Sequence, residues 1–328
     1  MTSAVVTAEC RCVATGSKMA GLVLCEPIEL YNILNQSTKL SRLTEPNYLC
    51  LLDARTKRKY NESHVITARR VKQNPKGEYL VPESVELDCV KYCVVYDGKT
   101  SFLDDTYYDD YEEKDKDEKD AKVGAAIQCA RVLEQLTRHP VRILKGGYER
   151  FTACYHFLRT QKIFWMPQEL DAFQPYPVEI LPAQLYMGDC RQACDQQIQK
   201  ALKIKAQVNI SEEIATLFTD ESKTLHVSVA DSPDADLFSF FPTICHFIDA
   251  QMAFGAVLVF STLGLSRSST AVMAFLMHSS HYPLKGAWKY IQKCKTNMRP
   301  NRGFVQQLSD WESQIYGSAI TDISEPHY

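Results

Sequence analysis

Residues 257–278, VLVFSTLGLSRSSTAVMAFLMH, have the residue types and the order of a phosphate-binding site. Apolar residues typical of a strand lead into a short loop of small residues, which is followed by Arg267 and then by a helical pattern. A loop between a strand and a helix can direct backbone N–H groups at an anion, and the planar guanidinium of an arginine can bind phosphate bidentately. Because no residue of the loop is an obvious nucleophile, the chemistry that it predicts is binding.

The candidate phosphate-binding residues are those of the loop and the arginine that follows it: Ser261, Thr262, Leu263, Gly264, Leu265, Ser266 and Arg267. Gly264 permits a tight loop, and Ser268 is placed to cap the helix. A second interpretation stays open, in which Arg267 only holds the loop shut through a local carboxylate or carbonyl groups.

Alternating strand and helix patterns surround this loop and would position it. In the second half of the chain we expect strands at AQVNIS, LHVSVAD and GAVLVF, and helices at 237–252, 268–280, 284–294 and 303–316. In the first half we expect strands at YLCLLDAR, CVKYCVVYDG and VRILKGG, and a helix from 123 to about 139. Strands that alternate with helices indicate an α/β fold.

Two changes in composition divide the chain. Residues 104–120 hold ten acids and three lysines, so this block should be a solvated loop, with an acidic docking segment as the alternative. A proline-rich stretch, MPQELDAFQPYPVEILP, suits a linker. We therefore predict a flexible terminus at 1–18, a first domain at 19–160 containing the acidic loop, a linker at 161–177, a second domain at 178–317 and a tail at 318–328.

Composition narrows the function classes. The chain of 328 residues is long enough for two globular domains, and its net charge of −3 favours neither nucleic acid nor a membrane surface as a partner. The 12 cysteines include no C-x-x-C pair, so we expect free thiols in a reducing compartment, with no metal and no cofactor. An intracellular and chiefly cytoplasmic location follows, with the nucleus and the mitochondrion as open alternatives.

The loop resembles that of the cysteine-based dual-specificity protein phosphatases, whose pattern H-C-x-x-G-x-S-R-S follows a strand. Gly264, Ser266, Arg267 and Ser268 match this pattern, as does the strand that ends in the loop. The family histidine falls on Phe260, and the family's catalytic cysteine falls on Ser261. The resemblance therefore implies a phosphatase fold with a changed nucleophile position.

The change from sulfur to oxygen matters because the family's nucleophile is a thiolate. A free thiol has a pKa of about 8.5, so a modest local shift ionises it at neutral pH, whereas a serine hydroxyl needs a neighbouring base. Phe260 cannot supply the hydrogen bonds of the family histidine. We therefore expect negligible turnover, although phosphate capture can survive.

Other phrases extend this resemblance over about residues 175–316. Asp231, directly after LHVSVA, matches the family's general acid, while Asp234 and Asp236 fit that register less well. ILPAQLYMGD is similar to the family's opening phrase, and MRPNRGFVQQLSDWE is similar to its closing P-N-x-x-F-x-x-Q-L helix. Ser261, Asp231 and Arg267 are thus expected to be vestiges of a catalytic site.

The first half resembles the rhodanese (Cdc25-homology) domain, a parallel-sheet fold. Its phrase L-x-D-x-R-x-x-x-E-Y-x-x-x-H-I-x-x-A is matched by Asp53, Arg55, Tyr60, His64 and Ala68. Active members place a cysteine at the head of the loop after the fourth strand, where YCVVY is followed here by aspartate and glycine. We expect this domain to be inert as well, with Cys93 as a packed thiol and His64 hydrogen-bonded to Asp53.

An inert rhodanese-like domain ahead of a dual-specificity domain is the layout of the MAP-kinase phosphatases, and the chain resembles a catalytically inactive member of that family. The resemblance implies a pseudophosphatase that regulates signalling by capturing phosphorylated proteins, by competing with or modulating an active phosphatase, or by anchoring a MAP kinase. Arg69, Arg70 and Lys72 could imitate the family's kinase-docking motif. The alternatives are a phosphate-independent scaffold and a residual phosphatase that uses Ser261 or an unassigned cysteine as its nucleophile. The second has little support in the sequence, because no histidine lies beside Ser261 and the nearest upstream, His246, is in a predicted helix.

Overall fold

The computed structural model describes residues 21–82, 85–103, 123–164, 167–214, 221–324 and 328. The terminus predicted at 1–18 and the acidic loop predicted at 104–120 lie outside the described residues. Within the described part, two five-stranded sheets are each packed with helices, which confirms the predicted two-domain α/β fold class.

The first sheet is parallel and has the strand order β1-β6-β5-β2-β4. Its elements, with the short β3–β7 ribbon, follow in chain order: β1 Leu22–Cys25, α1 Pro27–Leu34, β2 Leu49–Asp53, α2 Lys57–Glu62, β3 His64–Val65, β4 Arg69–Arg70, β5 Tyr92–Tyr96, α3 Ala125–Leu133, β6 Val141–Leu144, α4 Gly147–Cys154 and β7 Arg159–Thr160.

The second sheet has the order β11-β10-β12-β9-β8, in which only β8 is antiparallel to its neighbour. Its elements are β8 Val178–Leu181, β9 Leu185–Asp189, α5 Cys190–Ala193, α6 Gln196–Ala201, β10 Ile204–Asn209, β11 Thr224–His226, α7 Phe241–Met252, β12 Ala256–Ser261, α8 Arg267–Ser279, α9 Leu284–Cys294 and α10 Arg302–Tyr316.

All six residues of the central strand β12 are buried, because both faces of the sheet are covered. Val257 and Val259 point into a cluster formed with α7, α8, α9 and α10. Leu258 and Phe260 point into a second cluster, which contains residues of α5 and α6 and of the first domain. A continuous apolar run is typical of a strand that is covered on both faces.

Several element boundaries differ from the sequence expectations. The predicted helix at 123 to about 139 ends at Leu133, and the strand expected at LHVSVAD covers only Thr224–His226. The helix expected from 237 begins at Phe241, where Pro242 in its first turn fits the missing N–H, and is preceded by a single 3-10 turn. These differences lie at element ends, where the periodic pattern gives little information.

Candidate functional site

The loop between β12 and α8 lies at the carboxyl edge of the second sheet. This is the edge at which open α/β sheets bind ligands. Strand β12 is in the middle of the sheet and pairs with β9 so that Ser261 lies beside Asp189. The loop of residues 262–266 then leads to Arg267, the first residue of the 13-residue helix α8.

Gly264 is required by the shape of this loop. Its φ is +67°, and a Cβ placed on it would lie 2.5 Å from the carbonyl oxygen of Gly188 on the neighbouring strand β9. A side chain there would be strained by the backbone conformation and would also clash with main-chain atoms. The loop can therefore pack against β9 only with glycine at this position.

The main chain of the loop leaves its N–H groups available. Within the described residues, the N–H groups of 262–266 donate no hydrogen bond to the protein. By contrast, the carbonyl of Leu265 accepts from the N–H of Arg299 at 2.9 Å and from the hydroxyl of Ser269 at 2.8 Å. A row of unpaired N–H groups at a helix N-terminus is an arrangement that binds oxyanions.

Arg267 is only 7% exposed, and its guanidinium is held by two hydrogen bonds. Its Nη1 donates to the carbonyl of Val229 at 2.8 Å, and its Nη2 donates to the hydroxyl of Thr262 at 3.1 Å. Its Nε is buried and has no hydrogen-bond partner within the described residues. A buried charged donor without a partner is costly, and an oxygen of a bound anion would satisfy it.

Asp231 lies at the same loop. Its carboxylate accepts from the hydroxyl of Ser266 at 2.6 Å and from the side-chain amide of Asn301 at 3.0 Å. Its other oxygen is 3.9 Å from Nε of Arg267, which is an ion-pair distance and too long for a hydrogen bond. The carboxylate is thus beside the arginine without occupying its free donor.

The two other acids of this segment have different surroundings. Asp236 accepts from the N–H and the hydroxyl of Ser239, and these hydrogen bonds lower the pKa of its carboxyl. Asp234 is exposed. Of the three aspartates, the structure places Asp231 in contact with the loop.

Ser261 is 2% exposed, and its hydroxyl donates to the hydroxyl of Ser268 at 3.2 Å. The carboxylate of Asp189, its neighbour across the sheet, instead caps α5 by accepting from the N–H of Gln192 at 2.9 Å. The ring of His246, on α7, lies edge-on to that of His278. Within the described residues, no carboxylate or imidazole is hydrogen-bonded to Ser261 to act as a base.

The structure changes one expectation for this loop and adds residues that sequence reasoning missed. Ser266, not Ser268, stands at the N-cap of α8, and its hydroxyl bonds Asp231 instead of the helix, so the predicted cap by Ser268 is wrong. Asn301 and Arg299 were missed as supports of the site. The phrase P-N in the closing motif was the available signal for Asn301. Leu263 is 70% exposed and forms part of the outer surface of the loop.

In the first domain, the expected pairing of His64 with Asp53 is wrong. The ring of His64 is hydrogen-bonded to the carbonyls of Tyr60 at 3.0 Å and Lys162 at 3.2 Å, while Asp53 forms a buried ion pair with Arg55 at 2.6 Å. Arginine is the stronger partner for a buried carboxylate because it forms a bidentate, charge-assisted contact.

The loop after β5, where the resemblance to the rhodanese domain led us to look for a cysteine, begins with the buried carboxylate of Asp97. Asp97 accepts from the N–H of Thr100 at 2.9 Å and from that of Ala126, at the start of α3, at 3.0 Å. Cys93 is buried within the strand, and its hydrogen bond with Cys50, together with burial, raises the pKa of its thiol. Cys93 therefore lacks the exposure of a reactive thiol, and Asp97 has no thiol to offer.

The three basic residues considered for kinase docking lie on and directly after β4, at the edge of the first sheet. Arg69 and Lys72 are exposed, and Arg70 is half-buried with a hydrogen bond to the carbonyl of Val71. Over the described ranges, no cluster of three or more His, Cys, Asp or Glu residues could hold a metal ion. No helix in the same part of the chain is both long and apolar enough to cross a bilayer.

Comparisons with known proteins find similarity to dual specificity phosphatases. The family model described as "Dual specificity phosphatase, catalytic domain" matches residues 185–314. The chain is 30% identical over 178 residues to a probable rhodanese domain-containing dual specificity protein phosphatase of Dictyostelium discoideum, covering 53% of this chain and 37% of that protein. It is 38% identical over 221 residues to dual specificity protein phosphatase 5 of Rattus norvegicus, covering 60% and 57%.

Among solved structures, a human tyrosine phosphatase-like serine/threonine/tyrosine-interacting protein matches with 28% identity and a TM-score of 0.38, covering 42% of this chain and 95% of that one. The chain spans between about a third and three fifths of the length of the two curated relatives. The family model, the relative with a rhodanese domain and the two sheets support a rhodanese-like domain followed by a dual-specificity-phosphatase-like domain.

Proposed function

We propose that this protein is a pseudophosphatase, which binds phosphorylated proteins at the loop between β12 and α8 without hydrolysing them. The observation that carries the proposal is the free Nε of Arg267, buried beside a loop whose N–H groups are unpaired. These donors match the oxygens of a phosphate monoester, and the arginine is already oriented by Val229 and Thr262.

The absence of turnover follows from the nucleophile position. Ser261 is buried and hydrogen-bonded to another hydroxyl, so nothing in its contacts removes its proton. Loop N–H groups and a helix N-terminus can ionise a thiol, but they do not ionise an alcohol to a useful extent without a base. Asp231, which lies at the loop and which we propose as the vestige of a general acid, would have no attacking group to assist.

A protein of this kind acts by binding its partners and not by hydrolysing their phosphate groups. It would capture phosphorylated proteins and so compete with or modulate an active phosphatase, or it would anchor a MAP kinase through Arg69, Arg70 and Lys72. We place this role in phosphorylation signalling inside the cell. It requires a phosphorylated protein as the primary partner and no cofactor.

The test is a titration of a phosphotyrosine peptide into the full chain and into Arg267→Ala, with Arg138→Ala as the matched control. Arg138 is an exposed arginine of the first domain whose side chain is 74% exposed. One hydrogen bond to a charged acceptor contributes about 1.5–3 kcal/mol, so Arg267→Ala should weaken binding by about 10- to 150-fold and the control should not. Equal, negligible binding by all three proteins would contradict phosphate capture and favour a phosphate-independent scaffold.

A further inference from the structure

Helix α1 of the first domain is hydrogen-bonded to β8, the edge strand of the second sheet. The side-chain amide of Asn32 donates to the carbonyl of Glu179 and accepts from its N–H, both at 2.8 Å. Because β8 is the edge strand, this pair gives one of its residues the two hydrogen bonds that another strand would supply. Asn32 is buried, so this contact is not exchanged with water.

The next turn of the same segment makes equivalent contacts with the end of α9. Gln36 donates to the carbonyl of Cys294 at 2.7 Å and accepts from the N–H of Thr296 at 3.0 Å. Asn35 accepts from the N–H of Tyr176 at 2.9 Å. Asn32, Asn35 and Gln36 are each more than nine-tenths buried.

A buried carboxylate also joins the two halves. Glu179 is 1% exposed and accepts from the hydroxyl of Tyr155 in the first domain, and from the hydroxyl of Tyr186 at 2.9 Å and the N–H of Ala183 at 2.7 Å in the second. Burial, and then the charge of Glu179, raise the pKa of Tyr155 and keep it a donor. A buried charge is tolerated because it is fully hydrogen-bonded, and donors from both domains are needed for that.

The apolar core is continuous between the domains. One cluster of buried residues includes Tyr31 and Phe151 of the first domain together with Tyr186, Leu258 and Phe260 of the second. The segment expected to be a linker contributes to it, since Leu170 is buried there and Tyr176 packs against it. Domains that move independently usually have polar interfaces, whereas this one contains a cluster of buried apolar residues from both domains.

We propose that the second domain carries a permanent interaction surface, formed by β8, the end of α9 and one face of its sheet, whose partner is the first domain. The two domains then unfold and bind partners as one unit. Phe260, directly before Ser261, belongs to the cluster that this surface completes, so the residue that replaces the family histidine has a packing role. The inference does not depend on phosphate binding.

The second domain can be followed selectively because Trp288 and Trp311 both lie in it. Trp165, which is outside the described residues, is replaced by phenylalanine in every protein used. The interface variant is Asn32→Ala with Gln36→Ala, and the matched control is Asn74→Ala with Gln128→Ala, whose amides bond only within the first domain.

We expect the interface variant to lower the urea midpoint of tryptophan fluorescence, with at least about a tenfold increase in the unfolding equilibrium constant of the second domain. The control should change it much less. A tryptophan midpoint that is unchanged in the interface variant would overturn the proposal.

If the interface variant fails to fold, hydrogen exchange on the full chain without interface substitutions tests the same proposal. The N–H groups of Glu179, Tyr176 and Thr296 each donate to a side chain of the first domain. If the two domains form one folding unit, these N–H groups should exchange as slowly as those of the central strand β12. Exchange at the rate of surface loops would show that the domains separate freely.

Discussion

Replacing Ser261 with cysteine should create a thiol that is more acidic than the buried thiol of Cys245, and the size of that effect can be worked out from the surroundings. A thiol at this position would be buried, next to the hydroxyl of Ser268, the unpaired loop N–H groups and the start of α8. Cys245 is the reference for a buried thiol in this protein: burial, and to a smaller extent the charge of Asp249, raise its pKa to about 12.

The donors around the loop oppose burial. The helix N-terminus stabilises a nearby anion by about 0.3–2 kcal/mol, and each hydrogen bond to a charged acceptor contributes about 1.5–3 kcal/mol. With two such hydrogen bonds the sum is roughly 3–8 kcal/mol, or about 2–6 pKa units at 1.36 kcal/mol each. The introduced thiol should therefore titrate between about 6 and 10, well below Cys245.

The assay is alkylation of the Ser261→Cys variant by iodoacetamide across pH 6–9, followed by mass spectrometry of the peptide that contains position 261. We expect alkylation there below pH 9, and p-nitrophenyl phosphate turnover once Phe260→His is added, because Asp231 and Arg267 both lie at the loop and could act as the general acid and the phosphate-binding group. No alkylation of that peptide up to pH 9 in a folded variant would show that the loop does not stabilise an anion. It would then also refute our reasoning about phosphate.

Three further results are expected. Phe260→His should lower the free energy of unfolding by about 1–3 kcal/mol, since a fully buried apolar ring is replaced by a polar one; an unchanged urea midpoint would contradict its packing role. Gly264→Ala should weaken phosphopeptide binding, whereas Gly77→Ala should not, because Gly77 shares the positive φ but has nothing within 4 Å of its would-be Cβ; equal effects in the same titration would refute the steric argument. The thiol of Cys25, whose pKa burial raises to about 12, should resist alkylation at pH 8 while exposed Cys154 reacts, and equal rates by mass spectrometry would contradict that burial.

The sequence was sufficient for the parts of the site that are contiguous in the chain. A strand, a glycine with an obligatory conformation and an arginine at a helix start are each local features, so their spacing predicted the loop. Asp231 could be proposed because its distance along the chain from the loop matched a known pattern. The two α/β halves followed from the alternation of strand and helix signals.

The remaining features depend on contacts between distant segments, which no local pattern encodes. Asn32 and Gln36 have the composition of an ordinary polar helix face, yet they bond main-chain atoms 147 and 258 residues away along the chain. One partner of His64 was missed for the same reason, because the carbonyl of Lys162 is brought to it by the β3–β7 ribbon. Hydrogen bonds to a carbonyl depend on where the backbone passes and not on the type of residue there.

In the most direct test, the unsubstituted full chain is incubated with a saturating concentration of a phosphotyrosine peptide. Bound peptide and released inorganic phosphate are then measured in the same sample. We expect the peptide to be recovered intact from the complex, with phosphate release no greater than from Ser261→Ala. Phosphate release by the unsubstituted chain that Ser261→Ala abolishes would contradict the claim that this site binds phosphate without cleaving it.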